Sequence, residues 1–197
     1  MARFSRADHI GVVDNPVFHA VRCRISHVDT KDLRIHHSSV VGLNDEELCW
    51  AVIDPIWPTA KTEDELALLD QGTKGQQAIY VTMLYAQEVD NGGLTQFFGN
   101  SSGMLWQHVR SGLQLLGAPE HIALITAAIE AFPQGAPSLE QSERKQALRE
   151  LTQEQRNLWR AGERRVYALG GFFAGLRPVW AQYIQTHPED FFLPSER

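Results

Sequence analysis

An all-α bundle of about seven helices is the fold this sequence predicts, and three observations predict it. From Asn44 onward apolar residues recur at helical spacing, helix-start signals precede them, and no strand–helix alternation appears. A 197-residue chain that is 43% apolar and 21% charged is long enough for one well-buried core. Residues 43–197 are therefore read as one helical domain and residues 1–42 as an N-terminal extension.

The elements follow in order. Val21, Cys23 and Ile25 alternate with Arg22, Arg24 and Ser26, the period of a half-buried strand. Asp29-Thr30-Lys31-Asp32 carries turn residues, and Leu33 and Ile35 alternate again, so the extension reads as a β-hairpin or a loosely ordered arm. Asn44, with Glu47 three residues on, has capping-box spacing. It opens a helix through Leu48, Ala51, Val52 and Ile53, stopped by Pro55 and Pro58. Thr62 with Glu65 offers a second box ahead of Leu66 and Leu69. Residues 75–89, GQQAIYVTMLYAQEV, are apolar around most of the circumference, which suits a central core helix. Trp106, Val109, Leu113 and Leu116 form an amphipathic stripe ended by Gly117. Ile122, Ile125, Ile129 and Phe132 repeat it, and Pro133-Gln134-Gly135 closes it. Ser138 with Gln141 and Thr152 with Gln155 are boxes for two later helices. Trp159, Val166 and Phe173 share one face at seven-residue spacing, and the last helix runs from about Pro178 to His187-Pro188. Trp50, Trp57, Trp106, Trp159 and Trp180 read as core or interface anchors.

Composition excludes several classes. No apolar run approaches the roughly 18 residues of a membrane span. The start, MARFSRADHIGVV, lacks the apolar stretch and small-residue site of a secretory signal. Two cysteines, Cys23 and Cys49, fit a reducing cytoplasm better than a disulfide framework. The net charge of −6 disfavours direct binding to a nucleic-acid backbone, which needs a concentrated basic face.

Residues 91–103, NGGLTQFFGNSSG, are the most unusual stretch. No lysine follows its glycines, and a helix rather than a strand precedes it, so it lacks the context of a phosphate loop. Gly99-Asn100-Ser101-Ser102-Gly103 matches G-x-S-x-G in letters only, because no parallel-strand runs surround it. The expected role is a corner between helices. Asn91-Gly92-Gly93 would supply a left-handed C-cap, and Ser101 or Ser102 would cap the Trp106 helix. Gln96, Phe97 and Phe98 would form a short helical turn, with at least one phenylalanine in the core. Glu88, in the last turn of a helix, is disfavoured by the dipole unless the loop's own N–H groups reach it. Gln96 and Asn100 could serve the loop likewise.

No catalytic residue, metal or cofactor is expected. His27, His36 and His37 with Cys23 make a cluster on paper, but no Cys-x-x-Cys, His-Glu-x-x-His or helical His pair accompanies them. Arg156, Arg160 and Arg164 form a stripe at four-residue steps, read as a solvated face with Glu154 and Glu163 nearby.

With these residues in view, AQEVDNGGLTQFFGNSSG resembles the signature of the bacterial DNA-mimic protein 19 family, a domain of unknown function. Glu88, Asn91, Gly92, Gly93, Gln96, Phe97, Phe98, Asn100, Ser101 and Gly103 carry the resemblance. It extends more loosely from about Leu48 to Phe192 and leaves residues 1–42 outside. The resemblance implies an all-helical fold without an assigned enzyme activity. The name-giving type is an acidic dimer that imitates duplex DNA and occupies the DNA-binding face of another protein. With 24 acids against 18 bases, this chain departs from a strongly acidic pattern.

The expectation is a non-catalytic, cytoplasmic, self-associating protein that binds another protein, in the narrower version a DNA-binding regulator. The alternative is a small-molecule binder or hydrolase whose polar pocket is lined by Glu88, Asn91, Gln96, Asn100 and Ser101, with Gly92, Gly93, Phe97, Phe98 and Gly103 as its frame.

Overall fold

The structure, a computed structural model, describes residues 32–57 and 65–194. Among them are eight α-helices: α1 Asp45–Ile53, α2 Glu65–Gln71, α3 Lys74–Gly99, α4 Trp106–Leu116, α5 Pro119–Glu130, α6 Gln141–Glu150, α7 Gln153–Ala168 and α8 Phe173–Thr186. Their extended backbone pairs only in one isolated bridge, Ile35 with Phe192. The expected all-α bundle is present, with eight helices where about seven were read. The alternating run Val21 to Ile25 lies outside the described residues, as do Thr62, Pro58, Cys23 and His27.

The described residues fall into two compact units. One holds residues up to Tyr80 together with those from Arg177 on. Here α1 starts as its sequence dictates: Asn44 Oδ1 accepts from Glu47 N (3.0 Å) and Glu47 Oε2 accepts from Asn44 N (3.0 Å). α3 opens on a capping box that sequence inspection missed. Thr73 Oγ1 accepts from Gln76 N at 3.2 Å, and Gln76 Oε1 accepts from Thr73 N at 3.0 Å. The Gln76 amide then donates to Leu33 O (2.8 Å) and Val52 O (3.0 Å), which explains a fully buried glutamine. Trp50, Trp57 and Tyr80 make successive edge-to-face contacts in this unit's core.

The other unit is Val81–Leu176 and contains the whole unusual stretch. α4 ends as read, with Gly117 left-handed at its C-cap. α7 begins on the expected Thr152–Gln155 box. Three readings are corrected. Ser138 does not box with Gln141; its hydroxyl accepts from Glu140 N (3.0 Å) and donates to Glu143 Oε2 (2.6 Å), while Gln141 Nε2 donates to Gly99 O (2.9 Å). Phe173 is not on the α7 stripe, because α7 stops at Ala168 and the chain turns through Gly170 and Gly171. α8 starts five residues before Pro178, since Asp90 Oδ2 accepts the Phe173 N–H at 2.9 Å and supplies a cap from elsewhere in the chain. All five tryptophans are buried.

Candidate functional site

The stretch does not cap α3 and then loop, as its glycines suggest. α3 runs on to Gly99 and is broken inside, at Gly92 and Gly93. Gly93 has φ 73° and ψ −176°, a region essentially confined to glycine and different from the left-handed cap expected. A Cβ there would also sit 2.8 Å from Glu163 Oε1. That oxygen accepts the Leu94 N–H at 2.8 Å, so a carboxylate from α7 caps the second half of the broken helix. The break turns Leu94, Phe97 and Phe98 inward, all fully buried. Phe97 contacts Tyr85 edge-on at 5.3 Å, and Phe98 lies against Phe132 (4.9 Å) and Trp159 (5.6 Å).

Glu88 is buried and faces inward, where side chains rather than loop backbone satisfy it. Its Oε2 accepts from Gln96 Nε2 (2.7 Å) and Asn100 Nδ2 (2.9 Å), and its Oε1 from Ser102 Oγ (3.0 Å). Of the five residues singled out for binding, Glu88, Gln96 and Asn100 thus converge. Asn91 is exposed. Ser101 is displaced by its neighbour: its Oγ is buried without a hydrogen-bond partner, while Ser102 joins the carboxylate. Neither serine caps α4. Residues 101–105 form a 3-10 turn, and the α4 N-cap, Leu105, has no side-chain bond to give.

A second charged residue, unremarked in the sequence, clamps the same corner. Arg144 of α6 is 1% exposed. Its Nε donates to Phe98 O (2.8 Å), Nη1 to Ser138 O and Leu139 O (2.9 Å each), and Nη2 to Asn100 O (2.8 Å). Burial lowers its pKa from the usual guanidinium range. Gly103 packs so tightly beneath it that a Cβ would lie 2.8 Å from Arg144 Nε and from the Phe97 and Phe98 carbonyl oxygens. Residues 98–103 are therefore held from one side by a carboxylate that takes their side chains and from the other by a guanidinium that takes their carbonyls. No sequence signal marks Arg144, since it stands in a polar helix between charged neighbours.

The arrangement has little to offer as a reaction centre. The residues ahead of Ser101 are helical, and no imidazole among the described residues reaches its hydroxyl. Among the described residues no three of His, Cys, Asp and Glu gather closely enough to hold a metal ion. His121, buried beside Tyr85 and Phe172, is held neutral to about pH 4 by burial, with Asp90 and Glu120 opposing. An open groove of about 250 Å³ lies elsewhere, between α5 and α7, and none of the five predicted residues lines it. Arg156 is engaged structurally, donating to Leu148 O at 2.6 Å and so completing the C-terminus of α6. No helix among the described residues is long and apolar enough to cross a membrane. The family model described as DMP19-like protein matches residues 70–187. No curated protein and no solved structure matches the chain.

Proposed function

The chain belongs to the DMP19-like protein family, and we propose that it is a non-catalytic helical binding protein whose partner is another protein. One observation carries this reading: four polar side chains of the family-like stretch, Glu88, Gln96, Asn100 and Ser102, are spent on each other. Glu88 takes Gln96, Asn100 and Ser102, and Arg144 takes the adjoining carbonyls. A carboxylate and a guanidinium used this way build a rigid corner and leave no acid, base or nucleophile facing a substrate. The same observation weighs against the ligand-pocket alternative at Asn91 to Gly103.

The narrower reading is DNA mimicry toward a DNA-binding regulator in the cytoplasm. It is supported by family membership and by the sequence from Asp45 to Asp70, where eight carboxylates accompany a single lysine. Capture of partners from the native cell on the tagged full-length chain, identified by mass spectrometry, tests the broad reading. Titrating the chain into the captured protein's complex with duplex DNA tests the narrow one. Displacement of the duplex is expected. A captured protein with no DNA to lose would end the mimicry reading alone, and failure to retain any specific protein would end both.

A further inference from the structure

We propose that the groove between α5 and α7 docks one amphipathic helix of a different protein, about three turns long, with large apolar residues on one face and lysine or arginine beside them. This rests on the protein-binding reading and deepens it, naming the surface and the chemistry of the partner.

Glu120 pairs with Arg165 (2.9 Å) at one end of the groove, and the Gln155 amide donates to Ala131 O (3.2 Å) at the other, so α5 and α7 run antiparallel along it. Between them lies an open volume of about 250 Å³. Its floor is low because the side chains there are small. Ala123, Ala127 and Ala131 recur at four-residue steps on α5, and Gly162 lines it from α7. A Cβ on Gly162 would lie 2.5 Å from Leu124 Cδ1, so the floor cannot rise there without moving a buried leucine. Eleven residue steps separate Glu120 from Ala131 (131 − 120 = 11), which makes a trough about 16 Å long. Leu158 lines it, and Leu169 follows about three turns on along the same face of α7. Each is 64% exposed.

The occupant's form follows from what the groove cannot offer. Apart from the Glu120–Arg165 pair and Gln155, its lining is alanine, glycine, leucine, valine and tryptophan. The Gln155 amide is committed to Ala131 O, and its Oε1 to Thr152 N at 2.8 Å. Among the described residues extended backbone pairs only at Ile35 and Phe192, in the other unit, so no sheet edge adjoins the groove. A backbone laid on such a floor must satisfy its own N–H and C=O groups, which a helix does and an extended peptide does not. Large apolar knobs are needed above alanine and glycine. Away from α7 and its cap, the exposed large apolar residues are Val41, Leu115 and Leu139, on separate elements. α7 itself sets Gly162 and Arg165 between its two exposed leucines, so a second copy would leave the middle of the trough unfilled. Charge defines the occupant further. Exposed Glu130 and Glu154 stand at the Ala131–Gln155 end and pair with no cation among the described residues, whereas Glu120 is matched by Arg165. Two unmatched carboxylates call for lysine or arginine on the occupant at that end. Trp159, also in the lining and 4% exposed, has a buried Nε1–H without an acceptor, which favours an occupant bearing a side-chain oxygen.

The probe is a fluorescent leucine–lysine peptide of about 14 residues that forms an amphipathic helix, read by anisotropy on the full chain. A leucine–glutamate counterpart and a scrambled leucine–lysine peptide accompany it. Saturable binding of the leucine–lysine helix is expected, and Ala127→Gln and Leu158→Gln should each weaken it about tenfold or more. Leu115→Gln, at an exposed apolar position on α4, should leave it intact. Glu130→Lys combined with Glu154→Lys should turn the preference toward the leucine–glutamate helix. Circular dichroism of each variant establishes that it is folded. A probe that binds no better than its scrambled form overturns the proposal. So does an affinity indifferent to both Ala127→Gln and Leu158→Gln, or a preference that survives the charge reversal. A benzophenone amino acid in place of Ala123, irradiated in the native cell, should cross-link to a basic amphipathic helix of another protein. Adducts with a second copy alone, or no adduct, count against the groove. Partner capture that works as well on Ala127→Gln as on the wild-type chain ends the groove proposal and leaves the protein-binding reading standing. Capture that retains nothing ends both.

Discussion

Ser101 and Ser102 are adjacent hydroxyls with opposite energetic roles. Ser102 donates to a buried carboxylate, and a buried acceptor left without its donor costs about 1–3 kcal/mol. Ser102→Ala should therefore lower unfolding free energy by about that amount, measured by urea denaturation. Ser101 Oγ is buried without a partner, so Ser101→Ala should be neutral or stabilising. A catalytic or ligand-holding Ser101 would leave stability unchanged but abolish activity, and the paired measurement separates the two. Tyr85 Oη belongs to the same class: it is buried and unpartnered, and burial together with the charges of Glu163 and Asp90 raises its pKa. His121 gives a pH signature. Above about pH 6.5 the ring is neutral in both folded and unfolded chains. Below that the unfolded chain takes up a proton that the folded one refuses until about pH 4. Stability should fall by roughly 1.4 kcal/mol per pH unit across this window, about 3 kcal/mol in all. His121→Leu should remove that part of the slope, and identical pH–stability slopes in the two proteins would contradict the assignment.

At the scale of the element, the break in α3 depends on two groups far apart in sequence. Gly93 adopts a conformation that other residues enter at a cost of about 1–3 kcal/mol, and Glu163 bonds the first N–H beyond it. Gly93→Ala should destabilise by that amount or more, because the added Cβ also meets Glu163. Glu163→Ala should cost about 1 kcal/mol, the usual loss of a helix cap. Removing both should cost less than the sum, since the clash disappears with the carboxylate. Arg144→Met is the harsher change. It strips four carbonyls of their donor in a buried corner, and a loss of about 3–5 kcal/mol is expected in thermal or urea unfolding. The capping boxes at Asn44 and Thr152 were legible because donor and acceptor are three residues apart. The caps from Glu163 and Asp90 were not, because their partners lie 69 and 83 residues away.

For the molecule as a whole, charge is the property that bears most on partners. The arginine stripe of α7 is only partly exposed to partners: Arg156 holds the end of α6, while Arg160 and Arg164 are exposed and Arg165 beside them pairs with Glu120. Changing Arg156 to Ala should therefore lower stability by about 1–2 kcal/mol through the lost carbonyl contacts. Weak, salt-sensitive retention on duplex DNA, if any, should not track Arg156. A fold-change in DNA affinity on Arg156→Ala with unaltered stability would reverse that assignment.

What the sequence determined by itself was the kind of molecule and the location of its oddity. Helical spacing, capping boxes and the apolar run from Gly75 to Val89 are local patterns, and local patterns fix helices whatever surrounds them. Glycines at 92 and 93 likewise announced a departure from regular helix. The tertiary structure decided what that departure is for. It turned a supposed cap into an internal break, moved the useful hydroxyl from Ser101 to Ser102, and brought Glu163 and Arg144 to the corner. Those choices depend on which distant backbone groups lose water together on folding. Only the folded arrangement of several helices decides that, because the lost hydration must be replaced by whichever polar side chain is within reach.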